Sequence, residues 1–348
     1  MTPRGYAIAC ALASAALFGA STPLAKLLLG DVSPWLLAAI LYLGSGLGLA
    51  AWLAVRPGAP RLAPLAPSDW PWLAAAIACG GVIGPVLLMY GLSLTDAGSA
   101  ALLLNLEAAL TAAIAWTAFR ENVDRRVFLG LLAIVAGGVL LAWEQAPRAG
   151  SIAAPLLIAA ACLAWALDNN LTRKVSGGDA VFIAALKGLS AGGVNLALAF
   201  AAGASLPGPG ALAAAGLLGL LGYGVSLVLF ILALRGLGTA RTGAYFSVAP
   251  FFGAALALTL LGERPTEVFW IAAALMAAGV WLHVTERHEH RHAHAALEHS
   301  HEHVHDAHHR HAHDFPWHPR EPHAHRHQHE PLVHSHPHYP DLHHRHPH

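Results

Sequence analysis

Charge is scarce in this chain. Lys, Arg, Asp and Glu make up only 11% of its 348 residues, and bases and acids balance at 20 each. A soluble domain carries about 25% charged residues, so the polar surface that water requires is missing. Cysteine is nearly absent. Cys10, Cys79 and Cys162 stand far apart, each inside an apolar stretch, with no disulfide or zinc spacing; they read as small packing residues. Histidine does not occur before His283, and all 25 copies lie from there onward. The period-2 alternation of a membrane barrel is also missing. No nucleophile–base set and no nucleotide-binding glycine pattern is visible, which leaves an enzyme as the least supported class.

What the chain does have is apolar sequence. It is 56% hydrophobic, with a mean hydropathy of +0.51 even with its polar tail included. Ten apolar runs occupy 6–29, 34–55, 70–92, 97–119, 127–143, 151–171, 180–202, 211–234, 240–261 and 267–284. Runs of about 18–24 residues suit a hydrocarbon core about 30 Å thick. In lipid each must satisfy its own backbone polar groups, which makes each a helix. The expectation is an all-α membrane protein of ten transmembrane helices, with the lipid bilayer as its first partner. The links are short and rich in Pro, Gly and Arg, as in Arg56-Pro57-Gly58-Ala59-Pro60 and Pro207-Gly208-Pro209-Gly210.

Charge is biased between alternate links. With the N-terminus inside, the inner links carry Arg4, Arg56, Arg61, Arg120, Arg125, Arg126, Arg173, Lys174, Arg235 and Arg241. The outer ones carry only Arg148 and Arg264, with Lys26 near an outer helix end. This bias puts both termini in the cytoplasm of a bacterial-type plasma membrane. The first run follows Arg4 but has its small residues, Ala11-Leu12-Ala13, too early for a cleaved signal, so it is read as an uncleaved helix.

The second five runs read as a diverged copy of the first five. The fourth run ends Thr117-Ala118-Phe119-Arg120-Glu121 and the ninth ends Leu260-Leu261-Gly262-Glu263-Arg264-Pro265; each leads into another apolar run. Five spans per half make the halves enter the membrane in opposite directions, the inverted repeat of many secondary transporters. The expected division is 1–145 and 146–287 for the two five-helix repeats, and 288–348 for a disordered tail.

On these segments the chain resembles the drug/metabolite transporter superfamily, of the EamA type. Ala15-Ala16-Leu17-Phe18-Gly19-Ala20-Ser21 and its counterpart Ala160-Ala161-Cys162-Leu163-Ala164-Trp165-Ala166 add to the resemblance. It covers nearly all of 5–285 and none of the tail. It implies a carrier of a small-molecule substrate and does not specify which one, since similar proteins move amino acids, nucleotide precursors, sugars, amines and drugs. One departure stands out. The family often has proline where the ninth run has Pro250, but the matching position of the fourth run is Glu107.

Ionisable groups inside spans are costly, roughly 2.5–3.5 kcal/mol each on insertion scales. Lys26, Glu107, Asp168 and Lys187 each need a reason. Glu107, two residues after Asn105, is expected to be a cation-binding or proton-carrying carboxylate; the alternative is a structural carboxylate paired with a lysine or capping a kink. Trp165, Asp168 and Asn169 share one helix face by i, i+3, i+4 spacing. That face suits a polar substrate, and Asp and Asn also suit a helix end. Lys187 lies about 11 Å into its span at 1.5 Å per residue. It is expected to pair with Asp168 or approach Glu107, with contact to an anionic substrate as the alternative. Lys26 snorkels to the outer surface. The substrate route is assigned to Asn105, Glu107, Trp165, Asp168, Asn169, Lys187 and Tyr245. Tyr90 and Tyr223 are further cavity candidates that packing also explains. Gly44/Gly48, Gly80/Gly84 and Gly188/Gly192 allow helices to approach closely. Pro23, Pro85 and Pro250 can kink theirs.

The tail repeats His-x-His: His288, His290, His292 and His294, then His299, His301, His303 and His305. Alternate side chains of an extended chain point the same way, and imidazole suits Zn²⁺, Ni²⁺, Co²⁺ or Cu²⁺. Divalent metals are therefore expected tail ligands, with a pH-responsive tail as the alternative. No cofactor is required for transport. The tail holds more acids than bases, so nucleic acid is not a partner. Nothing in the sequence points to an oligomeric state. The expected function is secondary transport of a small organic metabolite, outward and proton-coupled through Glu107. The competing readings are transition-metal efflux through the tail and a non-transporting membrane scaffold or sensor.

Overall fold

The computed structural model describes residues 3–56, 67–119, 125–149, 152–175, 179–285, 289–294, 297–303, 323–329 and 332–337. The chain divides into two units, Met1–Glu286 and Arg287–His348. In the first, helix α1 spans Pro3–Leu28 and α2 Pro34–Val55. The third span consists of α3 (Trp70–Ala76), a π-helical turn (Ile77–Ile83) and α4 (Gly84–Ser93). The fourth consists of α5 (Ala97–Leu103) and α6 (Asn105–Phe119). Helix α7 (Arg125–Ala149) completes the first half. The second half contains α8 (Ala153–Val175), α9 (Ala180–Ala201), α10 (Pro209–Gly219), a second π-helical turn (Leu220–Val225), α11 (Ser226–Phe246), α12 (Ala249–Leu260) and α13 (Glu267–Val284).

Seven of the described helical stretches are long and apolar enough to cross a bilayer, and three shorter apolar ones lie at 128–144, 249–260 and 267–282. Together they make the ten spans. Their outward faces carry large apolar side chains such as Leu47, Trp143, Ile271 and Trp281, which lipid rather than water would cover. Asp96 caps α5 by accepting from the Ser99 amide, and Asp179 caps α9 by accepting from Val181 and Phe182.

Four spans depart from uniform helices. The third and eighth each contain a π-helical turn, and the two turns begin 143 residues apart, at Ile77 and Leu220. The fourth breaks at Leu104. The ninth breaks at Ser247–Val248, just before Pro250, whose ring nitrogen has no hydrogen to continue the ladder. The eighth and ninth runs also have no loop between them, because α11 continues through both. Phe230 and Phe246 nevertheless stack with ring centroids 5.0 Å apart. In a straight helix 16 residues would separate them by about 24 Å, so the chain folds back on itself between them.

The main apolar core reaches from one end of this unit to the Trp165 and Tyr223 rings at its middle. It joins Leu36, Leu37 and Leu41 of α2, Leu88, Met89 and Leu92 of α4, all of α5, and Phe269 and Met276 of α13. These residues sit toward the end bearing the 29–33, 94–96, 202–208 and 261–266 links. The other end, which carries the N-terminus and Arg56, has smaller clusters and an Arg56–Asp179 ion pair at 3.6 Å.

The second unit was expected to be disordered. Its described residues form four strands: β1 (Glu289–His294), β2 (Leu297–His303), β3 (His323–His329) and β4 (Leu332–Pro337). They pair antiparallel as β1 with β4 and β2 with β3. The alternating His-x-His sequence has the period of a strand, which accounts for the pairing.

Candidate functional site

The site is built around backbone groups that the π-helical turn exposes. A π-turn shifts the hydrogen-bond ladder by one residue, and such turns recur at functional sites. The Gly80 carbonyl accepts from the Tyr42 hydroxyl at 2.7 Å and from the Trp165 indole at 2.9 Å. The Gly81 carbonyl accepts from the Asn195 amide at 3.0 Å. Side chains of α2, α8 and α9 thus converge on one turn of the third span. Glycine is required at position 80, because a Cβ there would overlap the Asp168 carboxylate; at Gly84 it would press on the Trp165 indole nitrogen at 2.9 Å.

Asp168 and Lys187 form a buried ion pair, with 8% and 3% of their surfaces exposed. The Lys187 ammonium donates to both carboxylate oxygens, at 2.6 and 2.8 Å, and to the Thr172 hydroxyl at 3.1 Å. Thr172 in turn donates to Asp168 at 2.7 Å. All three ammonium hydrogens are thereby engaged, one helical turn after Asp168 supplying the third acceptor.

Glu107 stands in the first turn of α6, just past the break at Leu104. Its Oε1 accepts from the Asn169 amide at 2.8 Å. Among the described residues no cation pairs with it. The broken ladder is satisfied locally: Asn105 donates to the Leu102 carbonyl at 3.1 Å, and the Cys162 thiol approaches the Leu103 carbonyl at 3.7 Å.

These groups face a cavity of about 90 Å³ lying between the middle of the unit and its N-terminal end. Glu107, Trp165, Asp168, Asn169 and Lys187 all line it, so five of the seven residues assigned from sequence meet at one place. Asn105 does not. It is 1% exposed and turned toward Met276 of α13. Tyr245 does not line it either, and packs against the cluster of Ala7, Cys10 and Ala11. Sequence reasoning missed Phe18, Tyr42, Phe230 and Phe246, which form the aromatic wall with Trp165 and Tyr223. Their only advance signal was aromatic spacing in otherwise aliphatic spans. Ser14 and Ser226 close the floor by bonding to each other across α1 and α11.

A second depression, of about 520 Å³, lies at the opposite end and includes Lys26, Asp96, Glu144, Glu263 and Arg264. Here Glu263 accepts from the backbone amides of Ala97 and Gly98 at 2.7 and 2.8 Å, which ties the end of α12 to the start of α5. Lys26 reaches the Leu92 carbonyl at 2.7 Å.

A cavity lined by aromatic rings, a free carboxylate and a buried ion pair, set between two inverted five-helix halves, defines a multi-pass membrane carrier. The chain belongs to the EamA-like transporter family, which it matches over residues 5–143 and 152–285. An uncharacterized transporter of Methanothermobacter thermautotrophicus is 27% identical over 281 residues, which cover 76% of this chain and 82% of the relative. A protein of known crystal structure shares the fold, with a TM-score of 0.61 and 21% identity over 81% of this chain and 98% of its own. The protein is thus a transporter of small molecules embedded in the bilayer, and not an enzyme.

Proposed function

We propose that the protein exports a small organic solute by alternating access and that protons entering at Glu107 drive the cycle. The observation that carries this reading is the contrast between the two carboxylates of the cavity. Asp168 is held by Lys187, whereas Glu107 has one amide partner and, among the described residues, no cation. A group whose charge can change during the cycle must be free of a permanent counter-ion. The bias of Arg and Lys toward alternate links supports cytoplasmic termini in a bacterial-type plasma membrane. In that orientation the cavity residues Ser14, Asp168, Lys187 and Phe230 lie on the cytoplasmic side of the spans' midpoints, where cargo would load for export.

The test is solute flux in proteoliposomes under an imposed pH gradient, comparing the native protein with Glu107→Gln. The amide keeps the shape and the bond to Asn169 but cannot release a proton. Gradient-driven flux should fall to background with the melting temperature unchanged. Gradient-driven flux that persists in Glu107→Gln removes Glu107 from the coupling.

A separate role for the tail rests on register. His290 lies opposite His336 and His292 opposite His334; His299, His301 and His303 lie opposite His327, His325 and His323. His288 and His305 fall outside the described residues. Histidines at paired register positions, being imidazole donors, suit Zn²⁺, Ni²⁺, Co²⁺ or Cu²⁺ by composition. We read the tail as a cytoplasmic metal site rather than the start of a metal route, because no histidine precedes His283 and the three cysteines stand far apart in the membrane unit; no group of three His, Cys, Asp or Glu comes together among the described residues of either unit. Removing 288–348 should abolish Zn²⁺ binding in equilibrium dialysis and leave organic-solute flux intact. Loss of all flux would instead favour metal efflux.

A further inference from the structure

The cavity also carries information about its cargo. This inference rests on the transporter reading of the same site. Its lining has three charged side chains, Glu107, Asp168 and Lys187. Lys187 is fully engaged by Asp168 and Thr172, so it has no hydrogen left to offer an anion. Asp168 is equally consumed. With Glu107 ionised, the balance is one negative charge in a cavity lined mostly by apolar side chains.

The rest of the wall is ring. Phe18 packs edge-on against Trp165 and Tyr223 with centroids 5.8 Å away in each case, and is tilted against Phe246 at 5.5 Å. Tyr42 lies 5.4 Å from Tyr223, and Phe246 is 5.0 Å from Phe230. These six rings are contiguous and come from α1, α2, α8, the second π-turn and α11. The polar tips of Tyr42 and Trp165 are both spent on the Gly80 carbonyl. What these two residues have left to offer a ligand is therefore π-surface. Ring faces attract cations through their quadrupole, and more strongly where water is excluded.

We propose that the cavity binds organic monocations, a compact ammonium group carrying an apolar body, with the charged head against Glu107 and the body within the six-ring wall. The site accepts one positive charge, which is either the cargo or a proton on Glu107. Anions are disfavoured because, among the described residues, the cavity lining has no unengaged donor cation. The charged and titratable groups around Glu107 are Tyr42 on α2, Cys162 and Asp168 on α8, Lys187 on α9 and Tyr223 on the second π-turn. Of these, the Asp168–Lys187 pair is neutral as a unit, and binding should follow the state of Glu107.

The experiment is calorimetric titration of the purified full chain with three probes of one shape: benzyltrimethylammonium, benzyl alcohol and benzoate. The cation should bind, benzyl alcohol at least tenfold more weakly, and benzoate not at all. Acidification should weaken the cation, because protons occupy the same carboxylate. Glu107→Gln should weaken the cation at least tenfold and remove its pH dependence, while Phe246→Leu should weaken it about threefold or more. Benzoate binding as tightly as the cation, or cation binding unchanged in Glu107→Gln, overturns the proposal. Proteoliposome flux separates the two readings. Flux of neutral or anionic solutes with no cation binding would sink the cargo assignment alone. Cation binding without flux of any solute would preserve the site and sink the transport cycle.

Discussion

Lys187 and Asp168 show how much depends on a single side chain inside an apolar bundle. Both are buried, and each meets the other's hydrogen-bonding capacity. Removing one partner of a buried pair leaves an uncompensated charge and is destabilising by about 3–5 kcal/mol. Lys187→Ala should therefore lower the melting temperature in detergent sharply. Replacing both residues together, as Lys187→Met with Asp168→Leu, should recover much of that loss. A double variant no more stable than the single one would show that the pair also anchors Thr172 or the π-turn. At this scale the sequence was informative about chemistry and less so about direction. Trp165, Asp168 and Asn169, spaced for one helix face, all line the cavity. Asn105 and Tyr245 were assigned to the same route, but the break at Leu104 turns Asn105 toward Met276, and the chain reversal before Tyr245 sends its ring to Cys10 and Ala11. A one-residue break rotates a side chain by roughly a quarter of a turn or more, given 3.6 residues per turn, and periodicity cannot see it.

At the scale of elements, close helix contacts do what the glycine pairs implied, with partners that sequence could not name. Gly188 of α9 meets the backbone of Gly46 on α2, where an added Cβ would lie 2.6 Å from the Gly46 nitrogen. Gly44 likewise abuts Gly216 of α10. Lipid is as apolar as the helix surface, so such packing, rather than the hydrophobic effect, holds these helices together. Gly188→Val should separate α2 from α9 and cost about 1–3 kcal/mol, the range for overpacking, seen as a lower yield of folded protein and a lower melting temperature. Gly80→Ala should act differently. Its methyl group meets Asp168 directly, so transport should fall further than stability does. Equal losses of both would mean that Gly80 serves packing alone. The helices themselves, ten apolar runs of bilayer length, were plain in the sequence. Their interruptions were not, because a π-turn has the composition of any glycine-containing helix and Leu104 carries no breaking signal of its own.

For the whole membrane unit, the proposed alternating access requires α5 and α12 to part at the end bearing the 94–96 and 261–266 links, and the Glu263 carboxylate on the Ala97 and Gly98 amides is the polar clasp between them. Helix N-caps contribute about 0.5–2 kcal/mol, enough to change the balance of two states several-fold. Glu263→Gln, which keeps one acceptor and loses the charge, should shift the molecule toward opening at that end. A cysteine introduced at Ser99 in a cysteine-free background should then react faster with an impermeant maleimide. Unchanged labelling would place the clasp elsewhere. The inverted repeat was legible because Glu263 follows the ninth run as Glu121 follows the fourth; what that carboxylate holds was not, since its partners lie more than 160 residues away in the chain. The matched π-turns carry one further implication. A π-turn amounts to one residue inserted into an α-helix. The insertions at Ile77 and Leu220 fall in corresponding helices of the two halves, and each builds the cavity: the first presents the Gly80 carbonyl that holds Tyr42 and Trp165, and the second carries the Tyr223 ring. The repeat therefore doubles an irregularity as well as a set of helices, and the cavity lies where the two irregular helices meet the same aromatic wall.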